Sequence, residues 1–210
     1  MNLTLEPVLR QLSGRNQLFL AFDRDGTLVP YADHPDKAVM DQDLKNVLAG
    51  LAGLPEVDVA IVSARSIKAL ERDFDSADKI NLAGNYGLEI RLGDGGDFME
   101  PSVVEALPEL KEIMRALQPL TAEATGGILE DHGLSLCLHW HKVDESRMSL
   151  VREVVESIKQ SLSCVRFHSY PTSFEFIADV DWTKADGLSV LEERLRLKEK
   201  DSFYFVRRRH

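Results

Sequence analysis

Up to Leu88, short apolar runs alternate with stretches of helical periodicity. Residues 18–22 form an apolar run bounded by a polar turn and by Asp-Gly, the pattern of a strand buried on both faces. Residues 41–53 carry Leu44, Val47, Leu48 and Leu51 along one helical face. Residues 57–62 form a second strand, rich in β-branched side chains, followed by a helix from 66 to 74 and a third strand at 79–83. Strand, helix and strand at this spacing predict right-handed crossovers in a parallel sheet. A short helix over residues 4–14 leads into the first strand.

Beyond Leu88 the pattern changes. Residues 91–96 are a Gly-rich turn that joins two short strands as a hairpin. A helix over 103–117, strands at 122–130 and 134–139, a long amphipathic helix over 144–162 and strands at 165–168 and 173–177 follow. The long helix has Met148, Val151, Val155 and Ile158 on one stripe. Antiparallel strands with two helices, inserted between parallel units, predict an α+β cap over residues 89–178 that closes over a site. The core, 1–88 and 179–210, resumes with a helix that has Lys184 near its start and Leu188, Leu191 and Leu195 on its buried face, and then a strand at 202–206.

Composition narrows the classes. With 210 residues and 44% hydrophobic content the chain can bury a substantial core. Its formal net charge of −10 argues against nucleic acid or an anionic membrane as partner. Cys137 and Cys164 lie far apart with no metal spacing around them, which predicts free thiols in a reducing compartment. The N-terminus has no basic and apolar leader pattern, so the expected location is the cytoplasm. An anionic small substrate would need local positive charge and a metal.

The chemistry concentrates at the end of the first strand. Asp23 and Asp25 are two apart, so alternation turns both carboxylates toward one volume at the carboxyl edge, where open α/β sheets bind ligands. Two like charges that close call for a cation, and Mg2+ suits oxygen ligands. Gly26 permits a sharp turn, and Thr27 offers a hydroxyl and an N–H to an anion. A plain Asp-Gly surface turn is the alternative. Ser63, at the end of the second strand, is either a helix cap or an anion ligand, with Arg65 a further cation for the same anion. Lys184, by pattern alone, is a solvated lysine at a helix start. Asn85, in the loop after the third strand, fits a plain turn or a ligand-facing hinge.

Asp23-x-Asp25-Gly26-Thr27 resembles the nucleophile motif of the haloacid dehalogenase-like phosphatases. Together with Ala-Ile-Val-Ser63-x-Arg65, Ala-Gly-Asn85-x-Gly-Leu-Glu, Glu130-Asp-x-Gly-Leu-Ser-x-x-x-His139 and Asp-Trp-x-Lys184, it resembles the trehalose-6-phosphate phosphatases over most of the chain. That resemblance implies a Rossmann-like parallel-sheet core with an inserted cap. It implies Asp23 as nucleophile and Asp25 as general acid, with Mg2+ on the Asp23 carboxylate and the Asp25 carbonyl. Gly26, Thr27, Ser63, Arg65 and Lys184 would hold the phosphate, and Asn85, Glu130 and Glu175 the sugar. On pattern alone each glutamate is equally an exposed strand residue.

Several positions depart from the family's pattern. Tyr86, His132, Trp140 with His141, Pro171 with Thr172, and Ile177 replace its usual residues. The lost cap cations keep other glycosyl phosphates open, such as glucosylglycerol phosphate or a mannosyl phosphoglycerate. Where the superfamily carries Gly-Asp-Asp and further metal-binding acids, this chain has Arg207, Arg208, Arg209 and His210. An inserted nucleotide in a Gly-Asp-Asp codon run would read so, and the expectation is a frameshifted, C-terminally incomplete core. Weak or absent turnover, or a catalytically impaired sugar-phosphate-binding relative, follows from that expectation.

Overall fold

The computed structural model describes residues 17–32, 37–74, 78–121 and 125–197, and the backbone of 202–205. The expected helix over 4–14, the start of the strand expected at 122 and the four C-terminal positions lie outside the described residues. The chain divides into two compact units, residues 1–98 with 183–210 and residues 99–182.

The first unit is built on a six-stranded sheet in the order β10-β1-β2-β3-β4-β5. β1 (Leu18–Asp23) pairs in parallel with both β2 (Val57–Val62) and β10 (Ser202–Phe205), and β2 pairs in parallel with β3 (Asn81–Gly84). β4 (Glu89–Arg91) runs antiparallel to β3, and β5 (Asp97–Met99) follows it at the edge. The hairpin expected inside the cap is therefore part of the core sheet. Its pattern revealed a hairpin but not which sheet it would extend; Ile90, 2% exposed, shares a cluster with Phe19, Ala60 and Leu191.

Both sheet faces are covered, as continuous apolar strands require. Along β2, Val59 and Ile61 face a cluster with Leu48, Ile67, Leu70 and Phe74, under α1 (Gln42–Ala52) and α2 (Ile67–Leu70). Ala60 and Val62 face the other cluster, closed by Leu191 of α5 (Lys184–Arg194) with Leu188 and Leu195 packed beside it. Val47, expected on the buried face of α1, is 58% exposed, because the stripe centres on Leu48. α2 is shorter than expected: Ser66 caps it by accepting from the Ala69 N–H, and a turn replaces its predicted last residues, where Asp73 is drawn inward by an ion pair.

The second unit is a four-stranded antiparallel sheet in the order β6-β7-β9-β8: β6 (Ile128–Asp131), β7 (Ser135–His139), β9 (Ser173–Ala178) and β8 (Val165–Ser169). Two helices belong to it, α3 (Leu107–Leu117) and α4 (Met148–Lys159). Both begin as 3-10 turns, at Pro101–Ala106 and Glu145–Arg147, where helices had been expected to start. Leu138 and Phe176 are fully buried on one sheet face, and Leu117, Val151 and Val155 are buried on the helices. Among the described residues no helix is long and apolar enough to cross a membrane.

Candidate functional site

Three neighbouring parallel strands end together. Asp23 pairs with Val62, the last residue of β2; Ser63 follows, its N–H donating to the Ala83 carbonyl at 2.9 Å; and β3 runs into a 3-10 turn, Asn85–Gly87. Beyond Asp23 the chain reverses, with the Leu28 and Val29 N–H groups donating to the Arg24 carbonyl at 3.0 and 2.9 Å. Gly26 takes φ +86°, and a Cβ there would meet the Tyr31 ring at 2.7 Å, so this turn needs glycine.

Both aspartates are gripped by the groups expected to hold a phosphate. Lys184 Nζ donates to one Asp23 oxygen, and Thr27 Oγ1 donates to the other at 3.3 Å. Asp25 accepts from Arg65 Nε and Nη2 at 3.0 and 3.1 Å, from Ser63 Oγ at 3.2 Å and from Arg24 Nη1 at 2.7 Å. Burial alone would raise the Asp25 pKa. The Arg65 hydrogen bonds and charge, then Arg24 and Ser63, outweigh it and hold the carboxyl below the usual value, 3.8. Ser63 and Arg65 thus form an anion locus, filled by the Asp25 carboxylate.

Arg24 carries a role that was not expected from the sequence. It is 4% exposed, donating to Asp73 Oδ2 at 2.7 Å and to the Ala38 carbonyl at 2.8 Å while it also reaches Asp25. The available signal was an arginine between two aspartates. A buried cation must find acids, and Asp73 and Asp25 supply them.

Lys184 reaches Asp23 from the first turn of α5. Thr183 caps that helix, its N–H and hydroxyl donating to Asp186 Oδ2 at 2.7 and 2.6 Å. Gly87 and Gly187 abut: a Cβ on Gly187 would lie 2.7 Å from the Gly87 Cα. Gly187 was not singled out in the sequence, and Gly87 only as part of the loop motif; the pair lets α5 approach the 85–87 turn closely. Asn85, expected to contact the sugar, is fully buried in this structure. Its Nδ2 donates to Glu89 Oε1 at 2.7 Å, and the same oxygen accepts the Ile67 N–H at 2.8 Å, so Asn85 braces the loop.

In the second unit, register aligns Glu130, Cys137, Glu175 and His168 in one row across four strands. The two glutamates expected to read the sugar therefore share the polar face of that sheet. Glu130 Oε2 lies 2.6 Å from His139 Nε2, and Glu175 is 8% exposed. Cys137 and then Glu130, by hydrogen bonding to His139, push its pKa up to about 10.

A hard divalent cation is matched in donor chemistry by the Asp23 carboxylate, 16% exposed, and by the backbone oxygens of the turn that follows. The positions where further acidic ligands were expected carry Arg207, Arg208 and Arg209.

A family model described as trehalose-phosphatase matches residues 21–205. Trehalose-phosphate phosphatase B of Arabidopsis thaliana is 27% identical over 193 residues, covering 88% of this chain and 51% of that protein. The chain spans about half the length of the curated relatives it matches. Among solved structures, the C-terminal domain of C. albicans trehalose-6-phosphate phosphatase superposes with a TM-score of 0.68 at 16% identity, covering 90% of this chain and 65% of that one. A trehalose-6-phosphate phosphatase related protein gives 0.69 at 18% identity, covering 83% and 73%. These likenesses show the haloacid dehalogenase-like fold, an α/β core with a cap. The matched stretch takes in Asp23 at the end of β1, Asp25 just beyond it, Ser63, the whole second unit and Lys184, and the chain belongs to the trehalose-phosphatase family.

Proposed function

We propose that this chain is a phosphatase that hydrolyses trehalose 6-phosphate to trehalose and phosphate. The observation that carries the reading is the pairing of Asp23 with Lys184 beside an anion locus of Ser63 and Arg65 already closed on Asp25. Asp23 Oδ attacks phosphorus as the bond to the sugar oxygen breaks, and Asp25 passes a proton to that oxygen. Water then cleaves the aspartyl phosphate, returning a proton to Asp25. In the arrangement described, Asp25 is held ionised, the form that serves as base in the second step. An incoming phosphate competes for Ser63 and Arg65, weakening the grip that depresses Asp25 and so favouring the acid form needed in the first step. Gly26, Thr27 and Lys184 complete the phosphate cradle, with Thr27 and Lys184 donating to Asp23. Asp23 and the Asp25 carbonyl would hold Mg2+, which when bound would supply charge neutralisation for the phosphoryl oxygens. Glu130 and Glu175 read sugar hydroxyls as multiple acceptors. Cys137 and Cys164 are both free, which supports the cytoplasm as location.

A substrate panel tests the reading. Phosphate release with Mg2+ is expected to be faster from trehalose 6-phosphate than from glucosylglycerol phosphate or mannosyl phosphoglycerate. A reversed order would reassign the substrate, and release that persists undiminished in EDTA would contradict the metal-assisted route.

A further inference from the structure

The polar face of the second unit's sheet gathers donors of a different kind from those at the aspartate pair. Glu130, Cys137 and His139 present a carboxylate oxygen, a sulfur and a ring nitrogen that all lie within 4.8 Å of one another. Cys137 and His139 are two apart on β7 and share a face, and Glu130 is the register partner of Cys137 on β6. His132 brings a second imidazole: its Nε2 is 3.9 Å from the same Glu130 oxygen that His139 reaches at 2.6 Å. On the other side Cys137 pairs with Glu175, adding another carboxylate to the row.

The three clustered side chains are half-buried, which shields them from solvent yet leaves an entry path. A set of thiolate, imidazole and carboxylate is poorly matched to Mg2+, which takes oxygen, and well matched to a borderline-soft ion of zinc type. A tetrahedral Zn2+ with bonds of about 2.0–2.3 Å needs donors roughly 3.3–3.8 Å apart, so the Glu130–His139 pair at 2.6 Å must open and any wider pair, none beyond 4.8 Å, must close. We propose that Glu130, Cys137 and His139 form a three-ligand Zn2+ site on the second unit. The same concentration of acceptor groups draws a proton onto His139 when no ion is bound, and the ion must displace that proton on binding. An ion held there engages Glu130, which would tie its occupancy to the sugar-reading face. That coupling rests on the phosphatase reading, whereas the site itself does not.

Cobalt reports the site without any turnover. The full chain is titrated with Co2+ under excess Mg2+, which occupies oxygen-donor positions, and absorbance is followed. The expected result is a thiolate-to-cobalt charge-transfer band, kept in Cys164→Ser, lost in Cys137→Ser and bleached by Zn2+. His139→Gln is expected to weaken Co2+ binding at least about tenfold, and it serves as the decisive variant if Cys137→Ser does not fold. No such band in the wild-type chain, a band that survives Cys137→Ser, or unchanged Co2+ affinity in His139→Gln overturns the proposal. Because no substrate is present, failure here leaves the phosphatase assay untouched.

Discussion

Asp25 is held by two arginines and a serine, and Arg24 is the costly member of that set. Its guanidinium is buried between Asp25 and Asp73, so removing it leaves the buried Asp73 carboxylate only the longer contact to Lys45 Nζ at 3.6 Å. Breaking such a pair from one side costs about 3–5 kcal/mol, whereas replacing both partners with apolar groups is often neutral. Arg24→Met is therefore expected to lower stability in denaturant titration by that amount, and Arg24→Met with Asp73→Leu to recover most of it; an additive loss in the double variant would contradict the pairing account. Arg65→Lys separates charge from geometry at the same carboxylate. A lysine retains the cation but not the two-pronged contact of Nε and Nη2. A rise in KM with a smaller change in kcat is expected.

At the scale of elements, Gly187 decides how closely α5 lies to the 85–87 turn. Alanine inside a helix normally gains about 1 kcal/mol over glycine. Here the added Cβ would sit 2.7 Å from the Gly87 Cα, and the obstacle is backbone. Overpacking of this kind costs about 1–3 kcal/mol, so the net sign is loss. Gly187→Ala should lower the melting temperature and also impair phosphate release, because Lys184 moves with the helix. In the second unit Glu109 of α3 ties down the segment before β8, accepting from the Cys164 N–H at 2.7 Å and from the Ser163 N–H at 2.8 Å. Burial opposes ionisation, but these donors outweigh it and hold Glu109 below its usual 4.5. Because the folded pKa is depressed, the contribution is present above the unfolded value and is lost as pH falls through the folded one. Glu109→Gln should cost about 1 kcal/mol near neutral pH after solvent screening, and should flatten the acid limb of a stability-versus-pH curve.

Across the whole molecule, what was legible followed from periodicity. The β2 bounds, 57–62, were read directly because the run is apolar on both faces and ends at a turn on each side. The placement of Asp23, Asp25 and Ser63 at strand ends was legible because local pattern sets where those strands stop, whereas pattern alone made Lys184 a solvated lysine and only the family resemblance pointed to it. What escaped depends on contacts distant in sequence. The Arg24–Asp73 pair and the Gly87–Gly187 contact join residues 49 and 100 positions apart, and no local period encodes either. The 89–99 hairpin was seen, but its sheet was not, since edge pairing with β3 leaves no mark in the hairpin itself. Asn85 has the composition of a ligand-facing turn, and only its burial against Glu89 shows the bracing role.

The central claim is that Asp23 is the nucleophile of a sugar-phosphate phosphatase. Phosphate release from trehalose 6-phosphate, measured with saturating Mg2+ on the wild-type chain and on Asp23→Asn, tests it most directly. The account predicts release by the wild-type chain that falls at least about a thousandfold in Asp23→Asn, whose carboxamide is a far poorer nucleophile than the carboxylate. Equal release by the two proteins, or none from either on any sugar phosphate tried, would contradict it.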